Sequence, residues 1–201
     1  MIASPRFLTG VCAFAVAGWL IGASILGVVK RKGARASAFA AALAHAGLGV
    51  TLMGVAGTTL WRSEALDVMG PGDIMHVGPY TLRFDGVTAE QGPNYRASRA
   101  HIALLENGRA ISMLTPEQRI YPAEGQDTAN TAIRTTGFED LYLALGDDRG
   151  AGRWTLRAYV SPLAPFIWLG GLVMAFGGML SLWGRLRIRS PAPSAAVQPA
   201  E

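Results

Sequence analysis

His45 stands in the stretch LAHAGLGVTLMG, residues 43–54, inside a run from Ala36 to Leu60 that carries no formal charge. At 1.5 Å per residue such a helix reaches about 37 Å, enough to cross the ~30 Å hydrocarbon core of a bilayer. An ionisable group within a span is costly and marks a functional candidate. A neutral imidazole has three uses there: an interhelical hydrogen bond, a step in a proton relay, or a bond to a metal. A relay wants a second ionisable group, and residues 36–60 hold no other. One helical turn to either side stand Ala41 and Gly49, with Ala38 and Ala42 near the same face. Such small residues predict a shallow trough beside the ring, which suits a flat group such as a haem held through an axial imidazole. The hydrogen-bonded ring is the bland alternative.

The remaining reactive residues form no constellation. His76 and His101 are isolated in sequence, and the carboxylates follow no spacing specific to a metal or an acid–base pair. Solvated surface positions are the expectation for all of them. Cys12, the one cysteine, falls inside an apolar run, which excludes an internal disulfide and a Cys-x-x-Cys redox pair.

Three apolar blocks must position these residues: Phe7–Val29, Ala36–Leu60 and Leu163–Trp183. Phe7–Val29 is longer than a signal-peptide core, and its basic cluster Lys30-Arg31-Lys32 follows it, as in a retained helix. Charge divides the chain. Residues 1–60 and 162–201 hold eight Lys or Arg and one acid, whereas residues 61–161 hold ten Arg against thirteen acids, a net of −3. The basic clusters, Lys30–Arg35 and Arg185, Arg187, Arg189, are expected on the cytoplasmic side by the positive-inside rule. The N-terminus and residues 61–161 are then periplasmic and the C-terminus cytoplasmic. The basic balance reports topology and gives no support to nucleic-acid binding.

The organisation expected is two transmembrane helices (about 7–29 and 36–60) with a short basic loop, an outer domain over 61–161, and a third helix over 162–184. A basic, then Pro/Ala-rich tail fills 185–201. The outer segment reads as β. PYTLRFDGV sets Tyr80, Leu82 and Phe84 on one face; DLYLALGD does so with Leu141, Leu143 and Leu145, and RWTLRAYV with Trp154, Leu156, Ala158 and Val160. RAHIALLENGRAISML predicts a hairpin about Asn107-Gly108. Five or six strands imply a small, OB-like barrel or sandwich, with Pro122–Thr136 as a long loop or short helix. The fold class is therefore an α-helical membrane protein with an inserted extracytoplasmic all-β domain. In the spans, Gly18 and Gly22 make a GxxxG pattern, Ala38, Ala42 and Ala46 repeat at four, and Gly170-Gly171 and Gly177-Gly178 interrupt the third helix. Small residues of this kind allow close helix packing in lipid and imply neighbours beyond these three helices.

FDGVTAEQGPNYRA (84–97), EQRIY (117–121), DLYLALGD (140–147) and FIWLGGLVMAFGGML (166–180), together with the LAHAGLGV helix, resemble the C-terminal part of the CcmF family. These are the large membrane subunits of the bacterial system that attaches haem to c-type cytochromes. The resemblance implies that His45 is one of two transmembrane axial ligands to the iron of a stably bound haem b. It also implies the remaining portion of the haem lyase and other cytochrome c maturation subunits as partners, with the haem chaperone and apocytochrome c reached through the complex.

The departures carry information too. Family members are far longer and bear a tryptophan-rich motif on the outer side, whereas Trp19, Trp61, Trp154, Trp168 and Trp183 are isolated. The second axial ligand is missing as well. The expectation is a C-terminal fragment or split subunit of a cytochrome c haem lyase in the bacterial inner membrane, not active alone. The alternative is a non-catalytic anchor that presents a β domain for complex assembly.

Overall fold

The computed structural model describes residues 5–30, 36–122 and 126–188. Three helices account for the apolar blocks: α1 (Pro5–Lys30), α2 (Ala36–Leu60) and α3 (Ala164–Ile188). Each contains a segment long and apolar enough to cross a membrane, namely Leu8–Lys30, Ala38–Leu60 and Ala164–Gly184. The glycine pairs do not interrupt the third helix, which runs unbroken through Gly170-Gly171 and Gly177-Gly178. In lipid the backbone has no water to bond, so a helix keeps its own ladder even at glycine. The basic loop at 31–35 and the tail at 189–201 lie outside the described residues.

Between α2 and α3 the described residues form ten strands. These are β1 (Ser63–Met69), β2 (Ile74–Val77), β3 (Tyr80–Gln91), β4 (Arg96–Glu106), β5 (Arg109–Leu114), β6 (Glu117–Tyr121), β7 (Gln126–Asn130), β8 (Ala132–Thr135), β9 (Glu139–Gly150) and β10 (Arg153–Pro162). They make two antiparallel sheets. One is ordered β1-β10-β9-β8, the other β2-β3-β4-β6-β7, with β5 also on β4. The alternation read from sequence sets the inner faces: Leu82, Phe84, Leu141, Leu143, Leu145, Leu156, Ala158 and Val160 share one core with Ile102 and Leu104. Two sheets that bury such faces against each other form a sandwich.

The Asn107-Gly108 hairpin is present. Both residues have positive φ, 51° and 76°, and Glu106 pairs with Arg109, which makes a two-residue turn whose twist matches its strands. Pro122–Thr136 differs from expectation, because it contains β7 and β8. The side chains of β7 from Asp127 to Asn130 are all exposed, and three of the four are polar, so no alternation marks them. Backbone pairing to Glu117–Tyr121 holds that strand, as pairing to β9 holds Ala132–Thr135. Such strands are set by their neighbours and not by apolar period.

By its pattern of contacts the chain divides into two compact units, one of residues 1–10 and 54–165, the other of 11–53 and 166–201. The first holds the sandwich and the helix ends that lead into it. The second holds most of the three helices.

Candidate functional site

Helix α2 is the centre of the helical unit. A Cβ built on Gly177 of α3 would lie 2.7 Å from the Ala44 nitrogen and 2.8 Å from the Ala40 carbonyl oxygen. Gly47 and Gly170 oppose each other in the same seam, where a Cβ on Gly47 would stand 2.7 Å from the Gly170 carbonyl oxygen. Residues 40, 44, 47 and 51 of α2 thus face α3 along one stripe. On the opposite side α1 packs at Gly49, whose Cβ would meet Ile21 at 2.7 Å and the Ala17 carbonyl at 2.9 Å. Glycine is required at these crossings because backbone meets backbone. Gly18 and Gly22 face open space instead, so the GxxxG pattern of α1 takes no part in packing among the described residues.

His45 falls between the two seams, on the exposed face of α2. Its Nδ1 is 2.7 Å from the carbonyl oxygen of Ala41. A carbonyl can only accept, so Nδ1 carries the hydrogen, and in a neutral ring Nε2 is left with its lone pair. A groove runs beside the ring, lined by Ala38, Ala41 and Ala42 of α2 and by Trp19, Leu20, Ala23, Ser24 and Gly27 of α1. The trough expected from sequence is therefore real on the Ala38–Ala42 side. It does not extend to Gly49, where α1 fills the space that the missing side chain leaves. The α2 wall of what remains is made of alanines, and the one nitrogen lone pair is directed away from its own helix.

The other two histidines are surface residues of the sandwich. His76 Nδ1 meets the Thr81 hydroxyl at 3.1 Å, and His101 Nε2 meets the Thr88 hydroxyl at 3.0 Å, both exposed. No group of three or more His, Cys, Asp or Glu that would hold a metal ion occurs among the described residues.

Sequence reasoning missed one charged centre. Glu117 opens β6 and is only 4% exposed. Arg99 reaches its Oε1 at 2.5–2.7 Å, Arg119 its Oε2 at 2.8 Å, and Asn130 donates at 3.4 Å. Burial pushes the Glu117 carboxyl up, but the hydrogen bonds from Arg119, Arg99 and Asn130 outweigh it and hold the group below the usual carboxylate range. Arg119 in turn lies 4.5 Å over the Tyr95 ring, which tilts against Tyr121 at 5.6 Å. The cluster ties β4, β6 and β7 together and presents no open carboxylate, so its chemistry is structural. The signal in sequence was the cross-strand pair Arg99–Glu117, invisible until the register is known.

The family profile described as the CcmF C-terminal beta-sandwich matches residues 60–162. A cytochrome c-type biogenesis protein CycK of Bradyrhizobium diazoefficiens is 42% identical over 176 residues, which cover 86% of this chain and 27% of that protein. The cytochrome c-type biogenesis protein CcmF of Pseudomonas aeruginosa is 34% identical over 143 residues, 71% of this chain and 22% of that protein. A solved structure of a cytochrome c heme lyase CcmF superposes with a TM-score of 0.60 at 17% identity over 91% of this chain and 35% of that one. At that identity the likeness shows the fold. The chain spans about a quarter of the length of these curated relatives.

Proposed function

The chain belongs to the CcmF family, and on that premise we propose that it is a C-terminal fragment or split subunit of a cytochrome c haem lyase whose His45 is an axial ligand to a transmembrane haem b. The observation that carries this reading is the fixed tautomer. Hydrogen bonding of Nδ1 to Ala41 orients the ring and leaves Nε2 on an exposed face beside a groove whose α2 wall is Ala38, Ala41 and Ala42. Such a haem supplies one-electron chemistry, namely reduction of an incoming haem before its thioether bonds to a Cys-x-x-Cys-His sequence form. Around it, Ala38, Ala41 and Ala42 would keep the space open, and Trp19, Leu20 and Ala23 of α1 would offer the group an apolar wall. The second ligand comes from the remaining portion of the lyase. The sandwich lies on the periplasmic side of the inner membrane, as a scaffold for maturation partners and the apocytochrome.

The structural alternative rests on the same bond, because Ala41 satisfies one nitrogen of the ring without any iron. Ligand rescue separates the two. His45→Gly, co-expressed with the rest of the lyase, is expected to lose haem and to regain part of it when imidazole is supplied. A variant that keeps its haem without imidazole rejects the ligand role.

A further inference from the structure

We propose that the foot of the four-stranded sheet carries a binding site for a zwitterionic phospholipid headgroup, with Arg62 holding the phosphate and Asp140 the amine. The outer face of this sheet offers a recess lined by Thr58, Arg62, Asp140, Tyr142, Tyr159 and Ser161, with Ile133 and Ala164 at its margin. Register explains why these residues meet. Tyr159 pairs with Tyr142 and Ser161 with Asp140, while Ser63 pairs with Val160, so Arg62 falls level with Ser161 and Asp140 in one row. Ser161 and Asp140 lie on neighbouring strands about 4.8 Å apart, and Arg62 immediately precedes β1.

Two charged groups in the recess have no ionic or hydrogen-bonding partner among the described residues. The Oδ1 of Asp140 is buried and has no hydrogen-bond partner among the described residues. A buried acceptor without a donor is costly, and the carboxylate that carries it borders the recess. Arg62 is exposed and makes no ion pair among the described residues; its guanidinium lies 4.0 Å over the Tyr159 ring, which holds it in the recess. Nearby Glu64 is not free to neutralise it, being paired with Arg157 at 3.7 Å. The occupant therefore needs an anion for Arg62 and an N–H cation for Asp140 within a short span.

Position names the source. Thr58 belongs to the last turn of the α2 span, and Ala164 is the first residue of the α3 span. The recess opens where two membrane-crossing helices end, at the level of the headgroups, whichever side of the membrane that is. Phosphatidylethanolamine presents both required charges there.

The test is native mass spectrometry of the full chain released from detergent micelles that contain phosphatidylethanolamine and phosphatidylglycerol in equal amounts. Wild type is expected to retain the ethanolamine lipid at least fivefold over the glycerol lipid. Asp140→Asn should abolish that preference, Arg62→Gln should lower retention of both lipids, and Arg149→Gln on the distant β9–β10 hairpin should change neither. N-acetylated phosphatidylethanolamine, which keeps the phosphate and loses the cation, should bind wild type no better than phosphatidylglycerol, a comparison that needs no variant to fold. Equal retention of the two lipids by wild type, or a preference that survives Asp140→Asn, would overturn the proposal.

Discussion

At Glu117 two opposed effects meet: burial favours the neutral acid, and two arginines with Asn130 favour the carboxylate, which wins. The sign of the resulting pH dependence follows from linkage. A lowered folded pKa gives stability that is present above the ordinary carboxylate value, near 4.3, and is lost as pH falls through the folded value. Tyr80 sets the opposite limit. Burial and a 2.7 Å hydrogen bond donated to Glu139 push its hydroxyl up to about 12 from 10.0. A raised acid gives stability that is present below pH ~10 and is lost as pH rises toward the folded value. Thermal melts of the full chain in detergent should accordingly show a plateau that falls away on both sides. Glu117→Gln should cost about 2–3 kcal/mol at neutral pH, the scale of hydrogen bonds to a charged group, and should flatten the acid limb. Tyr80→Phe should flatten the alkaline limb alone. An unchanged acid limb in Glu117→Gln would mean that another carboxylate sets it. His76 and His101, by contrast, bond only to exposed threonine hydroxyls, and their replacement by Ala should leave stability within about 0.5 kcal/mol.

The elements differ in how plainly the sequence announces them. Strands β3, β9 and β10 were legible because alternate residues are fully buried, and Leu82, Phe84, Leu143 and Leu156 are each 0% exposed. Phe84→Ala should therefore cost about 3–5 kcal/mol, read as a lowered melting temperature; a shift under a degree would contradict the face assignment. Strands β7 and β8 were hidden, since pairing with β6 and β9 makes them strands and no apolar period does. The helices were legible by length, but the faces they use were not. A glycine pattern states that close approach is possible, and only the partner decides which glycine is used. Gly177 meets the backbone of α2, whereas Gly18 and Gly22 meet nothing within 4 Å. Gly177→Val should hence lower the melting temperature of the helical unit by several degrees, while Gly18→Val leaves it unchanged, as followed by far-UV circular dichroism. Equal effects would dissolve the seam described here. The trough beside His45 was half legible for the same reason: Ala38, Ala41 and Ala42 border it, and α1 occupies the space at Gly49.

For the molecule as a whole, the charge division between the helical ends and the acidic central segment leads us to expect residues 61–161 outside the cytoplasm. A reporter active only after export, fused after Gly108, should be active; activity of a cytoplasmic reporter at that point would reverse the topology. The curated relatives extend to roughly four times the span of this chain. His45 was singled out from sequence by its place about 14 Å into an uncharged span, near the middle of a bilayer, where a protonated ring is costly. The hydrogen bond to Ala41 adds the orientation that sequence could not supply. The ligand role proposed for His45 is tested by the absorbance spectrum of the purified complex, formed by co-expression with the remainder of the lyase. A six-coordinate haem b spectrum is expected for wild type and for the His76→Ala and His101→Ala variants, with its loss in His45→Ala. A His45→Ala complex that assembles and keeps the full, unshifted haem absorbance would contradict it.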